Sequence, residues 1–97
     1  MNEIATYPSL KNKVVLVTGG AQGIGESIVE QFIKQQSKVA FLDIDEKAAE
    51  NLVNKIKLEY KKTPLFIKCD LKDIDQLKNS ISLVREKLGS ISVLVNN

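Results

Sequence analysis

The segment formed by residues 18–25 has the spacing most suggestive of chemistry. Its glycines follow the apolar run 14–17 and precede a helical pattern. A glycine here can adopt a positive φ and lets the backbone approach a ligand closely. The start of the following helix offers free N–H groups and a positive dipole end to a phosphate. This context predicts a pyrophosphate site, with an ordinary tight turn as the alternative; the candidate residues are Gly19, Gln22, Gly23, Ile24 and Gly25.

Asp43 is the second candidate, because it closes the apolar run 39–42 and stands 18 residues after Gly25. In a dinucleotide-binding fold, an acidic residue at this place accepts hydrogen bonds from the adenosine ribose hydroxyls. We expect Ile44 to lie beside the same ribose. The alternative role for Asp43 is to cap the next helix, a role for which Asp45 competes.

The elements that must position these residues follow from hydrophobic spacing. Residues 14–17, 39–42, 65–67 and 91–95 are short apolar runs typical of buried strands. Between the first two runs, Ile24, Ile28 and Phe32 recur every four residues with Val29 and Ile33 beside them, which predicts a helix with a wide apolar face.

Two further helices are indicated by their end signals. One runs from Asp45 to about Lys62 and is stopped by Pro64. The other begins after Asp73, a plausible N-cap, and ends at Gly89. The order is therefore β-α-β-α-β-α-β, which predicts an α/β fold with parallel strands and right-handed crossovers.

Four motifs in this order resemble the N-terminal half of the short-chain dehydrogenase/reductase family. The family carries Thr-Gly-x-x-x-Gly-x-Gly after its first strand, which residues 18–25 match at every fixed position. It carries an Asp-hydrophobic pair after the third strand and Asn-Asn-Ala-Gly after the fourth. The pair corresponds to Asp70 and Leu71, and the first half of the last motif to Asn96 and Asn97. Residues 10–14 also resemble the family's usual entry to the first strand.

The resemblance implies a Rossmann-type parallel sheet with strand order 3-2-1-4 and helices on both faces. We expect residues 1–10 to be a lead-in and residues 11–97 to be a partial NAD-binding domain, truncated after the fourth strand. Asp70 and Leu71 would line the adenine pocket, and Asn96 and Asn97 would complete the cofactor site. The family's catalytic Ser and Tyr-x-x-x-Lys pair match no residue here. Tyr7 and Lys11 share that spacing, but Pro8 disfavours the helical geometry that the pair requires.

Family resemblance further implies an NAD-dependent oxidoreductase that interconverts a small-molecule alcohol and a ketone, and a homo-oligomer. NAD is expected over NADP because a 2′-phosphate would face the carboxylate of Asp43. NADP-preferring relatives usually place a basic residue where Gln22 or Ile44 stands. Two alternatives stay open, a stand-alone nucleotide-binding fragment and a non-catalytic truncation product.

Composition excludes several other classes of function. The net charge of +2 gives no electrostatic case for nucleic acid or an anionic membrane as the main partner. The absence of histidine excludes imidazole chemistry, and the single cysteine, Cys69, excludes an internal disulfide. No signal-peptide pattern opens the chain, so a reducing, cytoplasmic setting is expected.

Overall fold

The computed structural model describes residues 10–97 and contains seven elements. The strands are β1 (Val14–Thr18), β2 (Lys38–Asp43), β3 (Leu65–Lys68) and β4 (Ile91–Asn96). The helices are α1 (Ile24–Lys34), α2 (Glu46–Tyr60) and α3 (Ile74–Leu88). The predicted alternation of strands and helices is confirmed. Of the expected lead-in, residues 1–9 lie outside the described residues.

The four strands form one parallel sheet in the order β3-β2-β1-β4, as predicted. Strand β1 lies between β2 and β4, where Val17 pairs with Phe41 on one side and Val95 on the other. All five residues of β1 are buried. An uninterrupted apolar strand is stable there because helices cover both faces of a parallel sheet.

Successive residues of β1 point to opposite faces and divide the core into two clusters. Val15 and Val17 pack with the buried residues of α1 and α2. Val14 and Leu16 pack on the other face, where Val84 of α3 is fully buried. The first two helices therefore share one face, and α3 covers the opposite one.

Helix α1 buries one side of the wide apolar face that its spacing predicted, the side of Val29 and Ile33 and not the four-residue recurrence. Gly25, Val29 and Ile33 form the buried line, while Ile28 and Phe32 are half-buried. Ile24, the first residue of α1, is 74% exposed. Both stripes have helical spacing, so spacing alone could not select between them.

The helix ends agree with the predicted signals except at the end of α2. Asp73 caps α3 through its carboxylate, and Gly89, with φ of 110°, follows the last turn. Helix α2 ends at Tyr60, two residues before Lys62, because Lys61 adopts the left-handed conformation with φ of 57°. The chain has therefore left the helix before Pro64. Within residues 10–97, no helix combines the length and apolar character needed to cross a membrane.

Strand β4 lies at one edge of the sheet and predicts association between copies of this chain. Its Leu94 is 60% exposed, and its outer edge has no partner strand among residues 10–97. A flat apolar edge favours pairing with another chain, whereas a lysine on the edge opposes it. We expect Leu94→Lys to raise the dissociation constant of self-association at least about tenfold, measured by sedimentation.

Leu58→Lys is the matched control for this prediction, because Leu58 is 77% exposed and belongs to α2, not to strand β4. We expect it to leave self-association unchanged. A compact monomer of the unmodified chain over a wide concentration range would contradict the prediction, as would equal behaviour of the two variants.

Candidate nucleotide-binding site

The glycine turn, residues 18–25, leaves the start of α1 open. Gly19 and Gly23 both have positive φ, 66° and 65°. Gly23 is the N-cap of α1 and, as a glycine, has no side chain that could accept a hydrogen bond from the first turn. A Cβ added at Gly23 would meet nothing within 4 Å. The first turn of the helix therefore presents its N–H groups to open space, which is the geometry that an anion requires.

Gly25 is needed for a close contact within this turn. A Cβ on Gly25 would overlap the carbonyl oxygen of Gly19 and lie 2.8 Å from Nδ2 of Asn97. In the structure the nearest neighbours are the turn's own backbone and the residue that follows β4.

Gly20 is a packing residue that the sequence analysis did not single out. A Cβ there would lie 2.7 Å from Cβ of Phe41 and 3.0 Å from Cγ2 of Val29. The family motif leaves this position free, so its pattern gave no signal. The double glycine, in a turn that must lie against a buried strand, was the available clue.

Asp43 ties the glycine turn to the end of β2. Its Oδ2 accepts a hydrogen bond from the N–H of Ala21 at 3.0 Å, and its Oδ1 accepts one from the N–H of Asp45 at 2.9 Å. The capping role belongs to Asp45, whose carboxylate accepts from the N–H of Ala48. A carboxylate has about four acceptor sites, so Asp43 retains capacity for ribose hydroxyls.

A cavity of about 210 Å³ lies beside Asp43, at the carboxyl edge of the sheet. It brings together residues that are far apart in the sequence and that follow three different strands. Five of its lining residues, Gly19, Asp43, Ile44, Asp70 and Leu71, were predicted for the site; Cys69 and Lys72 were not.

The loop after β3 is held by its own hydrogen bonds. Oδ1 of Asp70 accepts from the N–H of Lys72 at 3.0 Å, and the N–H of Asp70 donates to Oε1 of Gln76 at 3.0 Å. Cys69 is 1% exposed, so its free thiol is buried. These contacts fix the wall of the cavity that faces Asp43.

The hydroxyl of Thr18 joins the ends of β1 and β4. It donates to Oδ1 of Asn96 at 3.0 Å and accepts from the N–H of Asn97 at 3.1 Å. The side-chain amide of Asn97 donates to the carbonyl of Gly19 at 3.0 Å. Asn96 and Asn97 therefore support the glycine turn and do not line the 210 Å³ cavity.

We expect Thr18→Val to lower the free energy of unfolding by about 1–2 kcal/mol, because the N–H of Asn97 loses its partner. Chemical denaturation would measure the change. Thr63→Val is the control, since Thr63 is exposed outside any element. Equal stability of the two variants would show that the Thr18 hydroxyl makes no net contribution.

Gln22 lies apart from the 210 Å³ cavity. It is exposed and lines a separate groove between α1 and α2. Tyr60 packs against the core at the far end of α2, while Tyr7 lies outside the described residues. Within the described part of the chain, no group of three or more acidic or cysteine side chains could hold a metal ion.

Comparison with known proteins shows what the chain is similar to. A model of the short chain dehydrogenase family matches residues 13–97. A curated relative from Macaca fascicularis, 15-hydroxyprostaglandin dehydrogenase (NAD(+)), is 39% identical over 90 residues, covering 91% of this chain and 34% of the relative. The chain spans about a third of the length of the curated relatives that it matches.

Solved structures show the same likeness. The ligand-free aldohexose dehydrogenase of Thermoplasma acidophilum has a TM-score of 0.77 at 40% identity, over 94% of this chain and 31% of that one. The L-sorbose reductase of Gluconobacter frateurii, complexed with NADPH and L-sorbose, has a TM-score of 0.84 at 24% identity. The match covers 91% of this chain and 34% of that one. The second match shows a likeness of fold alone.

Proposed function

The chain belongs to the short-chain dehydrogenase family, and on that premise we propose that it forms the NAD-binding part of an oxidoreductase that interconverts an alcohol and a ketone. The observation that carries the proposal is the cavity at the carboxyl edge of the sheet, which adjoins the glycine turn. In parallel α/β sheets, ligands bind outside the carboxyl ends of the strands, where the strand order reverses. Here the order reverses between β1 and β4, and the cavity lies at the same edge of the sheet, on the β2 and β3 side of Gly19.

The described residues fit a dinucleotide. The open space at Gly23 admits a pyrophosphate to the N–H groups that begin α1, with Gln22 and Ile24 beside it. Asp43, held by two backbone N–H groups, is oriented to accept the ribose hydroxyls, and Ile44 lies next to it. Leu71 and Asp70 offer an apolar surface and a polar edge for adenine.

When bound, the nicotinamide supplies hydride chemistry, and the protein supplies binding and orientation. Asn96 and Asn97 act on the cofactor through the glycine turn, because they hydrogen-bond Thr18 and Gly19. We propose that the small-molecule alcohol or ketone binds the complete enzyme, a homo-oligomer, beyond the residues that form this cavity.

We propose that the site prefers NAD to NADP because of the charge of Asp43. A 2′-phosphate placed at this carboxylate would meet a like charge. Neither Gln22 nor Ile44 could neutralise that phosphate. The names of similar proteins do not decide the matter, since one relative is named for NAD(+) and two similar structures hold NADPH.

Titration of NADH with the purified chain tests the proposed function. We expect saturable fluorescence enhancement that AMP reverses by competition, because AMP carries the adenosine and one phosphate. Reversal by AMP but not by ribose 5-phosphate would locate recognition at the adenosine. Failure of the chain to bind NADH, NAD or AMP would overturn the proposal.

A further inference from the structure

A second cavity adjoins the proposed ribose site on the side of α1 and α2. Its volume is about 220 Å³. It touches the ribose site through Ala21, whose N–H donates to Oδ2 of Asp43. Its lining includes Ala21 and Gln22 of the turn, Glu26 of α1, and Ala48, Asn51 and Lys55 of α2.

Lys55 is the only cationic residue that lines this cavity within residues 10–97. Its Nζ donates to Oε2 of Glu26 at 3.2 Å and to Oε1 of Glu30 at 3.0 Å. These hydrogen bonds, the one to Glu30 first, raise the pKa of Lys55 above its ordinary value. The ammonium is therefore charged, but its nearest oxygens are two carboxylates of α1.

The charge of this triad, Glu26–Lys55–Glu30, is −1, since two carboxylates surround one ammonium. Asp43 adds another negative charge in the neighbouring 210 Å³ cavity, next to Ala21. A phosphate on the ribose 2′-oxygen would extend past Asp43 toward this negative surface. Among the described residues that line the second cavity, its one cationic partner would be Lys55, which the two glutamates already hold.

We propose that the Glu26–Lys55–Glu30 triad is a second determinant of discrimination against a 2′-phosphate, acting together with Asp43. The inference rests on the proposed function, because it assumes that the ribose lies at Asp43. Glu26 and Glu30 act by keeping Lys55 from the phosphate and by giving the triad at the edge of this cavity a net charge of −1. The triad is thus a specificity element built across two helices.

Competition binding of 5′-AMP and 2′-phospho-AMP to the full chain tests this inference, because the two probes differ only in the 2′-phosphate. In the variant Glu26→Gln/Glu30→Gln, we expect the preference for 5′-AMP to fall at least about threefold, the size expected for partly exposed charges. The control is Glu50→Gln/Glu59→Gln, which makes the same change in net charge at exposed positions of α2 outside this cavity.

Lys55→Gln gives an independent test, because it should change the preference for 5′-AMP in the opposite direction. It leaves two glutamates without their cation, so we expect weaker binding of 2′-phospho-AMP and a wider preference for 5′-AMP. If the triad only joined α1 to α2, each variant would change the affinities for 5′-AMP and 2′-phospho-AMP by the same factor. Raised salt should reduce both changes, because these charges are partly exposed.

The outcomes separate this inference from the proposed function. A narrower preference in Glu26→Gln/Glu30→Gln but not in the control supports the triad. The same preference in both double variants overturns it, while binding of 5′-AMP by the unmodified chain leaves the proposed function standing. If the unmodified chain binds neither probe, the proposed function fails and this inference fails with it.

Discussion

Gly25→Ala is expected to abolish saturable NADH binding and to lower the free energy of unfolding by about 2 kcal/mol or more. The added methyl would overlap the carbonyl oxygen of Gly19 and press on the side chain of Asn97 at 2.8 Å. The carbonyl belongs to the backbone, so no rotamer change can relieve the clash. The glycine turn must shift, and the N–H groups at the start of α1 shift with it.

NADH titration and chemical denaturation together measure this effect. Ser27→Ala is the matched control, because Ser27 is an exposed residue of the same helix and alanine favours helix. We expect the control to bind NADH as the unmodified chain does. Unchanged affinity and stability of Gly25→Ala would show that the turn can open without affecting the site.

The unmodified chain is expected to bind NAD at least about tenfold more tightly than NADP, a difference of about 1.4 kcal/mol. We expect Asp43→Asn to narrow this ratio, because it removes the charge that repels a 2′-phosphate. Asparagine keeps one acceptor oxygen, so it can still accept a hydrogen bond from the N–H of Ala21 or from that of Asp45. Some loss of affinity for both cofactors should therefore accompany the change in preference.

Asp45→Asn is the control that separates local repulsion from net charge. It removes the same charge two residues away and retains an oxygen that can cap α2, since asparagine is a favourable N-cap. Competition titrations with both cofactors measure the ratio in each variant. Equal ratios in Asp43→Asn and Asp45→Asn, or tighter binding of NADP by the unmodified chain, would remove Asp43 from the proposed ribose role.

The amino-acid sequence was sufficient to predict the order of elements, the parallel sheet and several residues that meet in the 210 Å³ cavity. Local signals were sufficient for the elements, because each strand is a short apolar run and each predicted helix has helical spacing. The sheet order followed from the family resemblance. That order brings the loops after β1, β2 and β3 to one edge, so Gly19, Asp43 and Asp70 could be assigned together.

The contacts by which these residues support one another depend on how the elements pack in the folded chain. Gly20 must be small because Phe41 and Val29 lie against it, and Asn97 reaches Gly19 because β4 pairs with β1. The buried stripe of α1 and the capture of Lys55 by two glutamates likewise depend on which helix faces which. Such contacts join residues distant along the chain, and spacing within one element carries no information about the surface that the element meets.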